Sequence, residues 1–535
     1  YSNFITHKIL LVTFYFWQWN HDDEHENNNS SEKIKNKMST QESSPLVDDN
    51  LKYGMSRPGK KGMKSVCSIA EELGSGTHQG TASLVNVGIN MAKTAAGTGI
   101  LALPYACKQG GILLFVFGMI LIPVWNVYCM RQLCEALEYL ICLAESTSDD
   151  DADVELSPGI LEKKTVSFCG KSKRDMIISR KLMRERPPPP KGTSAFSKLG
   201  YYALGKTGLI SIDLMMLVLL LSINIAFEVA ILTFADATPF TTGTKLIDGI
   251  ILGFLLVPLC IVDDMSALSK LSRLGLIVLG CTMFVIGFYG VSGYESNKYT
   301  DDSKSVVFVN NSNNQFSLFP LNGIEGVSKW FGCVVFSFGV VPLTFNFRDS
   351  MKEPEKLPQT AMISMSLVGV SYAVVGIVFL YLFPHIEEDL LSEIPSHGMI
   401  ATSTRCAMII VTMATTPLLI VPCAEIIEGK IMNNEDGQTK SKKLMIITRS
   451  FLSLGTVVAA SKLSSFVSVL AFVGSFIVST VSFVLPPALH WLLLRQGVGG
   501  GEGRAPFPMC SRLCDLSMLL IGLATTIITT WFSGS

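Results

Sequence analysis

"NMAKTAAGTGILALPYA", Asn90 to Ala106, is apolar enough to lie in a bilayer, yet it carries Lys93, a Gly97–Thr98–Gly99 triplet and Pro104. A helix that breaks in hydrocarbon bares N–H and C=O groups that no water can satisfy. Such a break survives only against protein or a wet cavity. Carriers use these breaks, with half-helix N-termini facing anionic groups and freed carbonyls holding cations. Gly97 and Gly99 permit an unwound backbone and close ligand approach, so the N–H groups from Gly99 to Leu101 are expected to cradle a carboxylate. Glycines also serve tight helix packing, so local composition leaves both readings open.

The rest of the chain supplies the setting. Its 535 residues are 48% hydrophobic and only 16% charged, with net charge −1. Soluble proteins carry about 25% charged residues, and a balanced charge gives no nucleic-acid footprint. Apolar runs near the ~20 residues needed to cross a hydrocarbon core recur along the chain. Eleven spans are expected, at 81–106, 111–134, 208–234, 246–262, 274–294, 327–347, 359–383, 403–427, 446–461, 464–494 and 515–532. The fold class is an all-α polytopic membrane protein.

Orientation follows from Lys and Arg near span ends. The segment 144–200, which includes "KKTVSFCGKSKRDMIISRKLMRERPPPPKG", shares one side with "KLSR" (270–273), "KSKK" (440–443), Arg495, Arg504 and Arg512. The opposite segment "HIEEDLLSEIPSHG" (385–398) has no Lys or Arg. The N-terminus is therefore expected in the cytoplasm. Asn310 heads a glycosylation sequon on the opposite face, where the three loops contain no cysteine to cross-link.

Residues 1–37 read as a non-native upstream segment, with Met38 a plausible start, and 38–79 as a disordered cytoplasmic tail carrying a sorting-like "ESSPLV" (42–47). The membrane-spanning region is 80–535, interrupted by the basic, Pro-rich 144–200 loop, read as a disordered spacer. Most of the 13 cysteines sit in apolar runs as small hydrophobes, and the lone Cys510–Cys514 pair lacks zinc partners.

Four stretches carry a resemblance. "NMAKTAAGTGILALPYACKQGG" (90–111), "FGCVVFSFGVVPLTFNFRDSMKEPEKLP" (331–358), "TTPLLIVPCAEIIEG" (415–429) and "LPPALHWLLL" (485–494) resemble, in order, helices one, six, eight and ten of the amino acid/auxin permease family. The resemblance implies amino-acid transport by alternating access on a 5+5 inverted-repeat, LeuT-like core with discontinuous helices 1 and 6. It aligns Ala96, Gly97, Thr98 and Gly99 with one unwound segment, and Phe336, Ser337, Phe338 and Gly339 with the other, as the substrate-binding residues. Relatives that carry a carboxylate after the F-x-F pair differ here, where Gly339 stands.

The resemblance also bears on the coupling ion. A mid-membrane lysine costs ~2.5–3.5 kcal/mol on insertion scales, so Lys93 is expected to pair or to function. The sodium-coupled branch has Asn at Lys93 and a threonine matching Thr415; an ammonium there mimics Na⁺ and repels it. Proton coupling or exchange is therefore expected, with H⁺ as coupling ion, no cofactor and no metal. Glu228 is the deeper relay candidate of the third span, Asp213 a local cap, and His490 a hydrogen-bonded packing residue. A branch of proton-coupled relatives has His where Asn90 stands.

The expectation is a monomeric, lipid-embedded carrier of neutral L-amino acids in the plasma membrane or the vacuolar or lysosomal membrane. Sodium-coupled transport and an amino-acid sensor on a carrier scaffold are the alternatives. Enzyme motifs such as HExxH or GxSxG are absent.

Overall fold

The computed structural model describes residues 80–148, 189, 193–261, 265–293, 317–386, 388–396, 398–432, 442–496 and 509–533. Asn310, "ESSPLV", residues 1–79 and most of the 144–200 loop lie outside the described residues.

Among those residues the protein is helical, apart from one isolated bridge between Ala82 and Met351. The helices in order are α1 (Leu84–Ala95), α2 (Leu103–Ser148), α3 (Ala195–Leu204), α4 (Lys206–Asp236), α5 (Lys245–Ile261), α6 (Met265–Val291) and α7 (Gly323–Ser337). They continue as α8 (Thr344–Ser350), α9 (Leu357–Leu382), α10 (Met399–Met432), α11 (Lys442–Ser461), α12 (Phe466–Val473), α13 (Leu485–Gln496) and α14 (Met509–Ser533).

Among the described residues eight helical stretches are long and apolar enough to cross a membrane. The outward faces are apolar: Phe254, Ile363, Phe451 and Trp531 are each more than 70% exposed. That surface is stable against lipid and costly in water, so this is a polytopic membrane protein. The expected intervals 246–262 and 274–294 coincide with shorter apolar stretches, α5 and Gly275–Val291 of α6. The end of the first expected span and the whole of the second run together in Thr98–Ile141 and are separated by a bend at Gly111. Gly111 has φ 74° and ψ 154°, and a Cβ there would meet the Phe319 backbone at 2.6 Å. Only glycine fits that bend.

Two ends of the chain path are tied close together. Ser83 caps α1 by accepting from Asn86 N at 3.3 Å. Ala82 N donates to Ser350 O, and Lys352 N donates back to Ala82 O, each at 3.0 Å. The start of α1 is thereby pinned to the turn after α8.

The stretch 466–496 is continuous but irregular. Between α12 and α13 the turns widen to π-helix at Gly474–Val478 and Thr480–Val484. Pro486 and Pro487 open α13 just beyond; they lack N–H donors and crowd the carbonyls four residues back, which widens the turn.

Candidate functional site

Both suspected interruptions are present. α1 stops at Ala95, Gly97 is extended (φ −100°, ψ −163°), and a 3₁₀ turn, Thr98–Ala102, leads into α2. α7 stops at Ser337; Phe338 and Val340 leave the helical register, and a 3₁₀ turn, Val341–Leu343, leads into α8.

The two breaks touch. A Cβ built on Gly99 would lie 2.7 Å from Ser337 Oγ, so any larger residue would have to displace that hydroxyl. Tyr372 of α9 braces them from behind: its hydroxyl donates to Ala95 O at 2.5 Å and lies 3.3 Å from Ser337 O. Asn126 Nδ2 of α2 donates to Phe338 O at 3.2 Å. These contacts satisfy much of the backbone that the breaks expose.

Some of it stays unsatisfied. The amides of Thr98 and Gly99 have no backbone acceptor, whereas Ile100 N is spent on Gly97 O. The expected cradle therefore shifts from Gly99–Leu101 to Thr98–Gly99, because the tight 3₁₀ turn consumes the later amides. Thr98 Oγ1 is buried without a partner as well. Two N–H groups at a helix start, beside an unmatched hydroxyl, form an anion-binding arrangement.

These groups open on a cavity of about 910 Å³. Ala96, Gly97, Thr98, Gly99, Phe336, Ser337 and Gly339 line it, as do Lys93 and Thr415. Phe338 does not: it is fully buried against Tyr372, with ring centroids 5.1 Å apart, and packs the break rather than the cavity. Thr415 Oγ1 donates to Thr412 O at 2.7 Å, leaving its lone pairs toward other partners.

Carboxylates mark one end of the cavity. Asp213, Asp349 and Glu425 line it there, and Ser197 Oγ donates to Asp213 Oδ1. The local partner expected for Asp213 is thus Ser197, but the residue also faces the cavity. Glu228 sits off the cavity, fully buried between α4 and α11. Glu428 is buried with Oε1 unpartnered. Among the described residues no ion pair joins Glu425 or Glu428 to Arg348 or Lys352; Arg348 approaches Asp349 at 3.9 Å. His490 is buried, 2.8 Å from Asp515 Oδ2 and 3.4 Å from Glu135 Oε2, so it ties α13 to α14 and α2.

The far end of the break is covered by the segment between α9 and α10. Ile386, Asp389, Leu390 and Leu391 are buried, and Leu390 N donates to Leu101 O at 3.1 Å. Lys108 Nζ donates to Ile386 O at 2.7 Å. Arg405, 1% exposed, donates to Pro395 O at 2.6 Å, Ile394 O at 2.9 Å and Leu391 O at 3.2 Å. Sequence reasoning passes over Arg405, although an arginine inside the run "ATSTRCAMII" (401–410) is a functional signal on its own.

Two helix breaks meeting on one cavity invite comparison with known sequences. A family model described as transmembrane amino acid transporter protein matches residues 80–152 and 176–533. The chain belongs to this transporter family. Among relatives, the chain is 23% identical to amino acid transporter ANT1 of Arabidopsis thaliana, over 84% of this chain and 93% of that protein. It is 22% identical to amino acid transporter AVT1B of Arabidopsis thaliana, over 91% of this chain and 78% of the relative. It is 24% identical to vacuolar amino acid transporter 3 of Saccharomyces cerevisiae, over 38% of this chain and 29% of that protein. The family match spans all four stretches that carry the resemblance.

Proposed function

We propose that the protein carries neutral L-amino acids across a vacuolar-type membrane by alternating access, coupled to protons or by exchange. The supporting observation is the unmatched trio at the first break: the Thr98 and Gly99 amides and Thr98 Oγ1, all on the cavity wall. The substrate's α-carboxylate accepts from these donors, helped by the partial positive charge of the new helix start. Its α-amino group faces the carbonyl end of α7, where the dipole is negative. The side chain points toward the apolar wall of Met216, Leu219, Leu220 and Ile223, which favours uncharged substrates.

In this reading eleven spans form a 5+5 inverted repeat, the breaks being the first helix of each half. Dividing Thr98–Ile141 at Gly111 and adding α5 and α6 to the eight long stretches gives that count. The open, carboxylate-lined end is the cytoplasmic one, with the protein acting as a monomer. Lys93 and Thr415 both line the cavity. Two unit charges ~4 Å apart repel by about 4 kcal/mol at an effective dielectric of 20, so an ammonium there disfavours Na⁺.

The test is uptake into proteoliposomes holding the purified full chain, against a panel of labelled amino acids. Uptake of neutral amino acids should rise with an acid-outside gradient and ignore replacement of Na⁺ by choline. In Lys93→Asn, Na⁺ should begin to stimulate uptake. Loss of wild-type uptake in choline would refute the coupling assignment, and no uptake of any amino acid would refute the carrier reading.

A further inference from the structure

A second polar cluster lies within the helices, away from the cavity. Asn224 and Glu228 sit one turn apart on α4, both fully buried, and Thr456 of α11 faces them. Asn224 Nδ2 donates to Glu228 Oε1 at 2.8 Å and lies 3.1 Å from Thr456 Oγ1. Thr456 Oγ1 is 2.9 Å from the same Glu228 Oε1. Both side chains thus approach the same carboxyl oxygen, the Thr456 hydroxyl also lying 3.0 Å from the Leu452 and Ser453 carbonyls. Glu228 Oε2 and Asn224 Oδ1 are buried with no hydrogen-bond partner, and Ser453 Oγ, one turn before Thr456, is buried with only the Cys260 thiol beside it.

No ion pair among the described residues involves Glu228. The titratable and charged groups that face this seam are the Cys260 thiol of α5, near Ser453 and Glu228, and Arg449 of α11. Arg449 Nη1 donates to Cys260 O at 3.1 Å.

An ionised carboxyl between membrane helices, with one oxygen lacking any donor, is costly. One proton on Oε2 removes the charge and turns an unmatched acceptor into a donor, for which Asn224 Oδ1 and Ser453 Oγ stand as acceptors. From this arithmetic we infer that the α4–α11 seam is a proton-binding site, with Glu228 Oε2 as the atom that takes and releases the proton. The step converts a carboxylate and an aqueous proton into a carboxylic acid and changes no other bond.

The seam is connected to the cavity through α4 itself. Ile223 and Phe227, immediate neighbours of Asn224 and Glu228, line the cavity wall. Ionisation leaves an uncompensated charge that draws water into the seam and loosens α4 against α11. Protonation lets the two helices close. The inference rests on the carrier reading for its link to transport, but proton binding itself is measurable apart from it.

Two measurements on the full-length protein test it. In proteoliposomes with a mixture of labelled neutral L-amino acids, the ratio of uptake with and without an inward acid gradient should exceed one for wild type and fall to one in Glu228→Gln. In infrared difference spectra across a pH titration, a carboxylic-acid C=O band should be present in wild type and missing from Glu228→Gln. Ser453→Ala and Asn224→Ala, which remove the waiting acceptors, should shift the midpoint of that band. A band that survives Glu228→Gln, or midpoints unmoved in both other variants, overturns the assignment. A wild-type Na⁺ dependence abolished by Glu228→Gln also overturns it, by giving the same oxygens to a sodium ion. Should wild type move no amino acid while the band behaves as stated, the proton site stands and the carrier reading alone fails.

Discussion

Tyr372 shows how one side chain can hold an interrupted helix pair in register. Its ring packs on Phe338 while its hydroxyl reaches the Ala95 and Ser337 carbonyls, one from each break. Removing the hydroxyl leaves buried carbonyls short of a donor, at a cost of about 1–3 kcal/mol. Tyr372→Phe should therefore lower the thermal midpoint of the detergent-purified protein and weaken amino-acid binding, since the ring contact survives and only the brace is lost. Unchanged melting and binding in that variant would mean the breaks support themselves. Gly97 and Gly99 are legible in the sequence, because two glycines round a threonine weaken an apolar helix at one point. Tyr372 is not, because a tyrosine inside "SLVGVSYAVVG" (366–376) looks like ordinary packing. Phe338 fails in the opposite direction: its motif marks the position but not which way its ring turns.

At the level of elements, the segment 385–398 stands out in the sequence only for its charge, yet it folds as a packed cover. A second signal lies in its spacing: Ile386, Leu390, Leu391 and Ile394 all point inward and are buried. Asp389 goes in with them, outside the membrane-spanning helices. Its Oδ1 accepts from Leu391 N at 2.8 Å and Ser392 N at 3.2 Å, which shapes the turn, while Oδ2 has no partner. Burial, reinforced by the nearby Glu388 and Glu393, pushes its carboxyl from 3.8 up to about 6, against the opposing pull of the two amides. The folded segment thus holds its proton more tightly than the open one does. Its stability is greatest below pH ~4, falls as pH rises from there through about 6, and is level beyond. Hydrogen exchange at 385–398, corrected for intrinsic rates, should be slower at pH 5 than at pH 7, and Asp389→Asn should abolish the difference. Equal protection at both pH values in wild type would show that the Asp389 proton does not stabilise the cover.

Across the whole molecule, the cavity is open where Asp213, Asp349 and Glu425 lie and closed where Arg405 clamps the 391–395 carbonyls. A carrier must reverse that asymmetry, so its closure should rest on bonds that can be broken together. The arginine fork, the single Leu390–Leu101 backbone bond and the Lys108 contact fit that requirement, being few and all made to carbonyls. The Lys and Arg distribution predicts that the carboxylate-lined end faces the cytoplasm, which labelling can test. With the other cysteines of the chain replaced by serine, a Glu425→Cys variant should react with a membrane-impermeant thiol reagent from the cytoplasmic face. An Ile386→Cys variant, on the buried side of the cover, should resist the reagent from either face in this conformation. Saturating amino acid should change both rates in opposite senses, because a ligand that draws the two breaks together favours closing one end and releasing the other. Rates that move in the same sense, or not at all, would make the breaks a static binding site rather than the pivot of a transport cycle.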